Sequence, residues 1–249
     1  MIMKNNWLNK IYEGRDKILF HGPERNTLVQ RFKDEVLING KPFSVNGRGC
    51  FNNRISQYFM SKLNLIGIKT HSIRIINIKE QLIRSLEMFP FRIVIRNSPS
   101  NEMFEKFAIS EFIVFDDPIM EFYFNNSDKI DDMVNNDHIL AFSWATKDDL
   151  ECMESISLRV NDFFQGFFSA MNMKLHDISF EFGKYEDDFG ESSIILGDSI
   201  TLDSMNLSDL QREIDFSKKN DVKELLSIYR SFIDRIGITK FKQEVRNNQ

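Results

Sequence analysis

Three carboxylates lie around a predicted β-hairpin in the last third of the chain. In the segment LHDISFEF, Asp177 and Glu181 fall on one face of an extended strand together with Ser179, because side chains alternate along a strand. After an acidic turn, a second apolar run covers residues 193–197 and ends at Asp198. Carboxylates that share one side of a hairpin repel one another unless a cation lies among them, so the pattern indicates a candidate metal–nucleotide site.

The spacing alone leaves two interpretations of this hairpin open. Asp177, Glu181 and Asp198 could hold Mg²⁺ on the phosphates of a nucleotide, because Mg²⁺ binds a few carboxylates together with phosphate oxygens and water. The same alternation is also typical of any antiparallel strand with one face in water. On spacing alone, the half-exposed sheet is the favoured interpretation.

A second candidate is the turn in IYEGRDKILF near the N-terminus. A tight turn at Gly14, followed by Lys17 at the start of a strand, can fold over phosphates, with backbone N–H groups and one point charge as ligands. The pattern is neither a Walker A nor a GxGxxG motif, so the signal is weak and an ordinary hairpin turn also explains it.

The segment EMFPFRIVIRN contains two more candidates. Met88 to Pro90 could form a hinge that contacts a base, and Arg96 at the far end could pair with an anion. The alternatives are a strand that starts at Pro90 and an ordinary ion pair between Arg96 and a nearby carboxylate. The strand start is the favoured interpretation of the first feature.

Composition argues against several classes of function. The 249-residue chain has a formal net charge of −5 and scattered basic residues, which is not typical of a nucleic-acid binder. No apolar run approaches the ~20 residues of a membrane helix, and the N-terminus has no apolar signal region. The two cysteines favour a reducing compartment, and the four dispersed histidines favour structural or surface roles. We therefore expect a cytoplasmic protein that binds neither nucleic acid nor a membrane.

Periodicity predicts a mixed α+β protein. Residues 1–45 have the alternation and turns of an antiparallel meander, and residues 70–97 return to strand. Residues 100–130 are predicted to be irregular. Residues 208–237 are predicted to close the chain with helices.

Two amphipathic helices are predicted between these segments. The first begins at Asn52 and is stopped by Gly67, with apolar residues at four-residue spacing: Ile55, Phe59 and Leu63. The second begins after an N-cap at Thr146, with Asp149 three residues further on. Its apolar face consists of Leu150, Met153, Ile156, Val160, Phe163 and Phe167.

This order of elements predicts two lobes. We assign residues 1–88 to an N-terminal antiparallel β lobe with one helix, and residues 89–209 to an α+β lobe that carries the acidic hairpin. Residues 210–249 then form C-terminal helices and a tail.

Taken together, the motifs resemble a known family, the SAICAR synthetases (phosphoribosylaminoimidazole-succinocarboxamide synthases) of purine biosynthesis. The resemblance is carried by the number, order and spacing of these segments: IYEGRDKIL, GRGCFNNRIS, LNLIGIKTH, EQLIRSLEMFPFRIVIRN, VNNDHILAFSWAT, LRVNDFF, DISFEFG and IILGDSITLDS. It extends over most of the chain.

The resemblance implies a fold and a reaction. The implied fold is a two-lobed α+β structure, an antiparallel N-terminal lobe over a larger α+β lobe with an ATP cleft between them. The implied reaction is ATP-dependent amide formation, in which the carboxylate of carboxyaminoimidazole ribotide is phosphorylated and the amine of L-aspartate displaces phosphate. Mg²⁺ would support the charge of the phosphates. The implied partners are small-molecule substrates, with a homo-oligomer as a further expectation.

The resemblance also implies nucleotide-binding residues. The EGKAK turn of the family is EGRDK here, so Gly14, Arg15 and Lys17 fall at cofactor-binding positions. Met88 falls at the adenine hinge. Asp16 replaces alanine, which adds a negative charge where phosphates would approach.

The same resemblance implies a function for the hairpin carboxylates. Asp177, Glu181 and Asp198 fall at catalytic positions, and Glu181 and Asp198 also fall at positions near the ribose, the phosphates and the metal. The substrate-binding positions implied by the family are Arg96, Asp131 and Asp203. The resemblance therefore favours the metal–nucleotide interpretation of the hairpin over the half-exposed sheet.

Several positions depart from the family pattern on the substrate side. The departures are Glu102 for serine, Ser179 for lysine, Ser199 for an acidic residue, Leu202 for proline and Asn206 for an arginine that holds the ribotide phosphate. Glu102 would place a carboxylate opposite the ribotide phosphate. At ~4 Å and an effective dielectric of ~20, the repulsion of one such pair of charges costs about 4 kcal/mol. The chain could therefore catalyse the family reaction, or it could be a repurposed or catalytically inactive paralogue that keeps the fold.

Overall fold

The computed structural model of the protein describes residues 9–38, 40–108, 115–125, 132–187, 189–212, 214–216 and 222–238. The strands are β1 (Lys10–Glu13), β2 (Lys17–His21), β3 (Thr27–Phe32), β4 (Glu35–Ile38), β5 (Lys41–Ser44), β6 (Ser72–Ile75), β7 (Glu80–Arg84), β8 (Glu87–Arg96), β9 (Ile119–Phe124), β10 (Met133–Val134), β11 (Met173–Glu186), β12 (Ser192–Gly197), β13 (Met205–Asp209) and β14 (Ile214–Asp215). The helices are α1 (Arg48–Leu65), α2 (Asn101–Phe107), α3 (Asn136–Ala141), α4 (Lys147–Ser169) and α5 (Val222–Arg235), and a 3₁₀ turn covers Leu202–Ser204.

The chain divides into two units. The first comprises Met1–Ile66, His71–Leu86 and Lys218–Gln249, and the second comprises Gly67–Thr70 and Glu87–Ser217. The C-terminal helix therefore belongs with the N-terminal strands.

The first unit is built on a five-stranded sheet in the order β1-β2-β3-β7-β6, with every neighbouring pair antiparallel. This sheet contains the predicted meander. Phe20, Val29 and Leu82 form an apolar cluster on three of its adjacent strands. β4 and β5 form a separate antiparallel hairpin.

Helix α1 has the predicted apolar face, because Ile55, Phe59 and Leu63 are all buried. It begins at Arg48 rather than at the predicted Asn52. Two features fix the earlier start. Gly47 takes a left-handed φ of 95° just before the helix, and the Asp34 side chain accepts a hydrogen bond of 2.9 Å from the Gly49 N–H.

Helix α5 packs against α1 through aromatic side chains. The Tyr229 ring stacks on Phe51 with centroids 5.6 Å apart, and the Phe232 centroid lies 6.4 Å from that of Phe59. The prediction of helix over residues 208–237 was correct for α5 and wrong for the described residues before it, 208–212 and 214–216. There β13 and β14 form strands, because Leu207 is buried in the ladder with β11.

The second unit contains a sheet in the order β10-β9-β8-β11-β13-β14, with β12 paired to β11. Helix α4 packs against β8, β11 and β12. The apolar side chains that alternate along the central strands are buried: Ile93, Ile95, Ile178, Phe180 and Phe182. Alternation then leaves the residues between them, including Ser179 and Glu181, on the opposite face.

The prediction of irregular structure for residues 100–130 was wrong in its described part. Ser100 caps α2, because its hydroxyl accepts a hydrogen bond of 3.3 Å from the Met103 N–H. β9 forms because its six residues pair along β8. Pairing between distant segments overrides weak local propensity here.

Helix α4 has the predicted N-cap at Thr146, and the cap is part of a capping box in which the Thr146 hydroxyl and the Asp149 carboxylate accept reciprocal backbone hydrogen bonds of 3.1 and 3.0 Å. Its buried face differs from the predicted one at the C-terminal end: Leu150, Met153, Ser157, Val160, Asn161, Phe164 and Phe168 are buried. Ile156, Phe163 and Phe167 are only half-buried. An amide pair fixes this rotation, since the buried Asn161 exchanges hydrogen bonds of 2.9 Å with the half-buried Asn97.

Candidate functional site

The acidic hairpin lies in the sheet of the second unit, with its polar side chains on one face. β11 pairs with β8 so that Asp177 is opposite Arg96 and Glu181 is opposite Arg92, with Ser179 between the two pairs. Directly opposed residues of antiparallel strands share a face. The cations that the sequence pattern called for are therefore present as guanidinium groups on the neighbouring strand.

A bulge at His176 determines which residues of β11 reach this face. Leu175 is opposite Leu207 and Asp177 is opposite Asn206, which are neighbours on β13, so β11 carries one extra residue at His176. Strict alternation would put Leu175 and Asp177 on the same face. Because of the bulge, Leu175 is buried while Asp177 lies on the polar face.

The bulge residue also holds the turn that follows β8. His176 Nδ1 lies 2.8 Å from Ser98 Oγ, and its Nε2 lies 2.9 Å from Ser208 Oγ. The His176 backbone carbonyl accepts a hydrogen bond of 2.7 Å from the Asn97 N–H. Burial, helped by the charge of Lys174, lowers the pKa of His176. A neutral imidazole therefore joins β13 to the turn. This structural role agrees with the expectation for the dispersed histidines.

Arg96 is held by three side chains on the polar face. Its Nε donates to Glu121 Oε2 at 2.5 Å, its Nη2 donates to the Tyr123 hydroxyl at 3.3 Å, and its Nη1 lies 3.4 Å from Asp177 Oδ2. Tyr123 completes the set, because its hydroxyl donates to Glu121 Oε2 at 2.9 Å. We call Arg96, Glu121, Tyr123 and Asp177 the arginine clamp. A guanidinium with this many fixed partners has a defined orientation.

Asp177 lies between Arg96 and Asn206. Its Oδ2 lies 3.4 Å from both Arg96 Nη1 and Asn206 Nδ2. Burial raises the pKa of Asp177, and the Arg96 charge and the Asn206 hydrogen bond offset this effect only in part. A carboxyl with a raised pKa beside a fixed guanidinium is typical of a functional site.

Glu181 and Asp198 lie at the same end of the hairpin. Glu181 is opposite Gly197 in the β11–β12 ladder, and Asp198 follows Gly197 directly. Asp198 takes a left-handed φ of 52°, which aspartate tolerates better than most residues. Its Oδ1 accepts hydrogen bonds from the Ser199 N–H and, at 3.4 Å, from the Ser199 hydroxyl.

The three hairpin carboxylates do not form one compact metal centre. Asp177 and Glu181 are four residues apart on one strand, which corresponds to ~13 Å. Within the described residues, no group of three or more His, Cys, Asp or Glu side chains is arranged to hold a metal ion. Glu181 and Asp198 lie one position apart across the β11–β12 ladder, and two carboxylates suit Mg²⁺ when substrate phosphates and water supply the other ligands. The polar face therefore has two separate groups of residues. Asp177 and Arg96 form one, and Glu181 and Asp198 form the other.

The EGRD segment forms the turn between β1 and β2. The Gly14 N–H donates to the Lys17 carbonyl at 2.9 Å, and Arg15 at the tip is exposed. A Cβ at residue 14 would lie 3.0 Å from the ring of Tyr12, so a larger residue would have to displace that ring. Asp16 forms an ion pair of 2.8 Å with Arg48, so its carboxylate is already neutralised.

The remaining predicted residues lie at other points of the second unit. Met88 is an exposed residue of β8 opposite Gly183, and β8 begins at Glu87 rather than at the predicted Pro90. Asp203 lies in the 3₁₀ turn, where its N–H donates to the Thr201 hydroxyl at 3.2 Å.

The altered positions Ser179, Asn206 and Leu202 lie on or beside this face. The Ser179 hydroxyl donates to the Ser204 carbonyl of the 3₁₀ turn at 3.4 Å, Asn206 faces Asp177, and Leu202 is buried. Asp131 and the side chain of Glu102 lie outside the described residues. Their expected contacts therefore stay predictions.

Sequence reasoning missed Glu121 and Tyr123, the two clamp residues on β9. The alternation in EFYF was the available signal, since it places Glu121 and Tyr123 on one face and Phe122 on the other. That signal was too short to outweigh the surrounding irregular sequence. Only the pairing of β9 with β8 brings both side chains to Arg96.

Comparison with known proteins gives a consistent result. The family model described as SAICAR synthetase matches residues 10–230. Phosphoribosylaminoimidazole-succinocarboxamide synthase of Phenylobacterium zucineum is 40% identical over 237 residues, which cover 93% of this chain and 94% of the relative. The corresponding protein of Rhodospirillum centenum is 40% identical over 235 residues, covering 92% of each chain.

Solved structures are similar over the same length. The phosphoribosylaminoimidazole-succinocarboxamide synthase of Ehrlichia chaffeensis superimposes with a TM-score of 0.83 at 34% identity, covering 92% of this chain and 98% of the other. A SAICAR synthetase in complex with ADP superimposes with a TM-score of 0.81 at 27% identity, covering 92% and 97%. The fold is that of an α+β ligase. The chain belongs to the SAICAR synthetase family. No helix among the described residues is long and apolar enough to cross a membrane.

Proposed function

We propose that this protein is an ATP-dependent ligase that joins carboxyaminoimidazole ribotide to L-aspartate in purine biosynthesis. The observation that carries the proposal is 40% identity to a synthase of that name over 93% of this chain and 94% of the relative. In the proposed reaction the ribotide carboxylate attacks the γ-phosphorus of ATP, which gives an acyl phosphate and ADP. The aspartate amine then attacks the acyl carbon, phosphate leaves with the C–O electron pair, and an amide forms.

The nucleotide is assigned to two groups of residues. The backbone of the Gly14 turn and the cations of Arg15 and Lys17 would bind the phosphates, because N–H groups and point charges both complement oxyanions. Met88 would contact the adenine. The family structure solved with ADP supports nucleotide binding by this fold.

Mg²⁺ is assigned to Glu181 and Asp198. Two carboxylates at one end of a hairpin suit an ion whose other ligands are phosphate oxygens and water. When bound, the ion would neutralise charge on the transferred phosphoryl group. Glu181 and Asp198 themselves would orient the nucleotide and keep other anions out by repulsion.

The acceptor is assigned to the arginine clamp. Arg96 already has its orientation fixed by Glu121 and Tyr123, so it can meet an anionic substrate group without losing side-chain freedom on binding. Asp177 would accept hydrogen bonds from the substrate or hold a proton beside Arg96. Asp203 and Asp131 complete the proposed substrate side.

A second candidate is a ligase of the same type whose acceptor lacks a phosphate. Asn206 favours it, because a neutral amide hydrogen-bonded to Asp177 offers no charge to a phosphate. The same reaction chemistry would then act on a neutral or differently charged acceptor.

One assay distinguishes these candidates. Purified full-length protein is supplied with Mg-ATP, carboxyaminoimidazole ribotide and L-aspartate, and ADP release is measured with each component omitted in turn. Release that requires all of them, with the amide product seen by mass spectrometry, supports the first candidate. ADP release with the dephosphorylated acceptor, but not with the ribotide, supports the second candidate. No ADP release with either acceptor would overturn both.

The proposed setting is the cytoplasm, with small-molecule substrates and a homo-oligomeric state. Light scattering of the purified protein measures the oligomer directly. A monomer at the concentration of the assay would remove the homo-oligomer from the proposal and leave the reaction intact.

A further inference from the structure

The β1–β2 turn is tied to helix α1 by one ion pair. Arg48 is the first residue of α1, and its Nη2 lies 2.8 Å from Asp16 Oδ1. The Arg48 side chain is only 1% exposed, whereas that of Asp16 is 49% exposed. The Arg48 Nη1 also donates to the Glu35 carbonyl at 2.8 Å, so the guanidinium connects the turn to β4 as well.

A second cation, Lys33, holds the same turn from the residue that follows β3. The Lys33 N–H donates to the Asp16 carbonyl at 2.8 Å, and Lys33 Nζ donates to the Gly14 carbonyl at 3.3 Å and to Glu13 at 3.0 Å. The turn is therefore fixed at Gly14 by Lys33 and at Asp16 by both Lys33 and Arg48. Its tip residue, Arg15, lies between these two anchor points.

A buried guanidinium is costly unless an anion neutralises it. Asp16 supplies that anion from the turn, so the charge that looked unfavourable for phosphate binding is used inside the unit. An aspartate paired at 2.8 Å presents much less negative potential than an isolated one.

We propose that Arg48 is a positioning residue for nucleotide binding, which acts through Asp16 to hold the turn that carries Gly14, Arg15 and Lys17. The proposal rests on the proposed function, because it requires that this turn binds the phosphates of ATP. It deepens that function by assigning Asp16 to the support of the phosphate-binding turn.

The proposal and simple repulsion predict opposite signs for one substitution. If Asp16 only repels phosphate, its removal tightens binding of Mg-ATP. If Asp16 holds the turn, Asp16→Ala weakens binding, and we expect Kd to rise by about five- to tenfold, the equivalent of one ordinary hydrogen bond. Asp16→Asn keeps an oxygen that can accept from Arg48, so its effect should be smaller than that of Asp16→Ala.

The chain contains a well-matched control in the same unit. Arg31 and Glu80 form an ion pair of 2.6 Å in which one side chain is 46% and the other 5% exposed, like Asp16 and Arg48. Arg31→Gln removes the half-exposed partner of a buried charge without touching the turn. It should lower stability as much as Asp16→Asn does, and it should leave the Kd for Mg-ATP unchanged.

The test combines calorimetric titration of Mg-ATP, steady-state kinetics and hydrogen exchange on the full-length variants. In Asp16→Ala we expect a higher KM for ATP, an unchanged KM for aspartate, and faster exchange at the Gly14 amide in the absence of nucleotide. Tighter or unchanged ATP binding in Asp16→Ala would overturn the proposal. An equal rise in the Kd for Mg-ATP in Arg31→Gln would overturn it as well. A wild-type protein that binds no Mg-ATP would instead overturn the proposed function, and the role of Arg48 would fall with it.

Discussion

Arg96 and Glu121 lie side by side on neighbouring strands of the second unit, with Arg96 Nε 2.5 Å from Glu121 Oε2. Both side chains are largely buried, and Tyr123 contacts each of them. A buried charge pair of this kind contributes less to stability than to geometry, because desolvation offsets much of the attraction. The fixed orientation of Arg96 is therefore its main consequence.

Glu121→Gln should release Arg96 from this orientation. The substitution keeps the size of the side chain and removes the charge that faces the guanidinium, so we expect a loss of about 2–3 kcal/mol in the free energy of unfolding. We also expect a higher KM for the acceptor and an unchanged KM for ATP. Urea unfolding and steady-state kinetics measure the two effects.

Tyr123→Phe is the matched control for the clamp. It removes one hydroxyl and keeps the ring over which the Arg92 guanidinium lies at 4.8 Å. We expect a smaller loss, about 1 kcal/mol, and a smaller change in the acceptor KM. If Glu121→Gln destabilised the protein and left the acceptor KM at the wild-type value, Glu121 would have a purely structural role.

The sequence predicted the polar face of β11 because a local alternation produced it. Asp177, Ser179 and Glu181 needed only an extended strand to share a side. The same local reasoning correctly predicted the N-cap at Thr146 and the buried face of α1. These features depend on neighbours within a few residues of one another.

The arginine clamp could not be predicted in the same way. Glu121 and Tyr123 reach Arg96 only because β9 pairs with β8 in one register, and a shift by one residue would turn both side chains away. The bulge at His176 is likewise set by pairing with β13. Long-range register, rather than local pattern, assembled the part of the site that sequence reasoning missed.

Asp177→Asn should change the pH dependence of stability. Burial raises the pKa of Asp177 in the folded state, so the folded protein binds more protons than the unfolded chain above about pH 3.9. Stability therefore falls as the pH rises from there through the raised pKa. The asparagine variant lacks this loss, so its stability relative to wild type should increase from acid to neutral pH.

Urea unfolding at a series of pH values measures the effect of Asp177→Asn. The difference in unfolding free energy, variant minus wild type, should become more positive across this window. A difference that is flat or becomes more negative would show that Arg96 and Asn206 stabilise the carboxylate more than burial opposes it.

Asp34→Asn should have the opposite pH dependence. Burial acts to raise the pKa of Asp34, but hydrogen bonds from Lys79 Nζ at 2.6 Å and from the Gly49 N–H at 2.9 Å outweigh it and lower the pKa. Stability from this group is present above about pH 3.9 and is lost as the pH falls through the lowered folded pKa. The variant should be less stable than wild type by about 1–3 kcal/mol at pH 7, and by less at low pH.

The two aspartates are controls for each other in the same unfolding series. Asp34→Asn should become relatively worse as the pH rises, and Asp177→Asn relatively better. Equal slopes in the two variants would contradict the assignment of opposite pKa shifts, because general effects of pH cancel in the difference from wild type and leave only the titration of the substituted group.

Phe164→Ala and Phe163→Ala test the buried face of α4. Phe164 is fully buried, whereas the adjacent Phe163, which the sequence pattern assigned to the core, is half-buried. Removal of a buried phenylalanine costs about 3–5 kcal/mol, because apolar contacts are lost and a cavity remains. We expect that loss for Phe164→Ala and a clearly smaller one for Phe163→Ala, both measured by urea unfolding. A larger loss for Phe163→Ala than for Phe164→Ala would mean that α4 buries the face predicted from sequence. In that orientation of the helix, Asn161 would not contact Asn97 beside the arginine clamp.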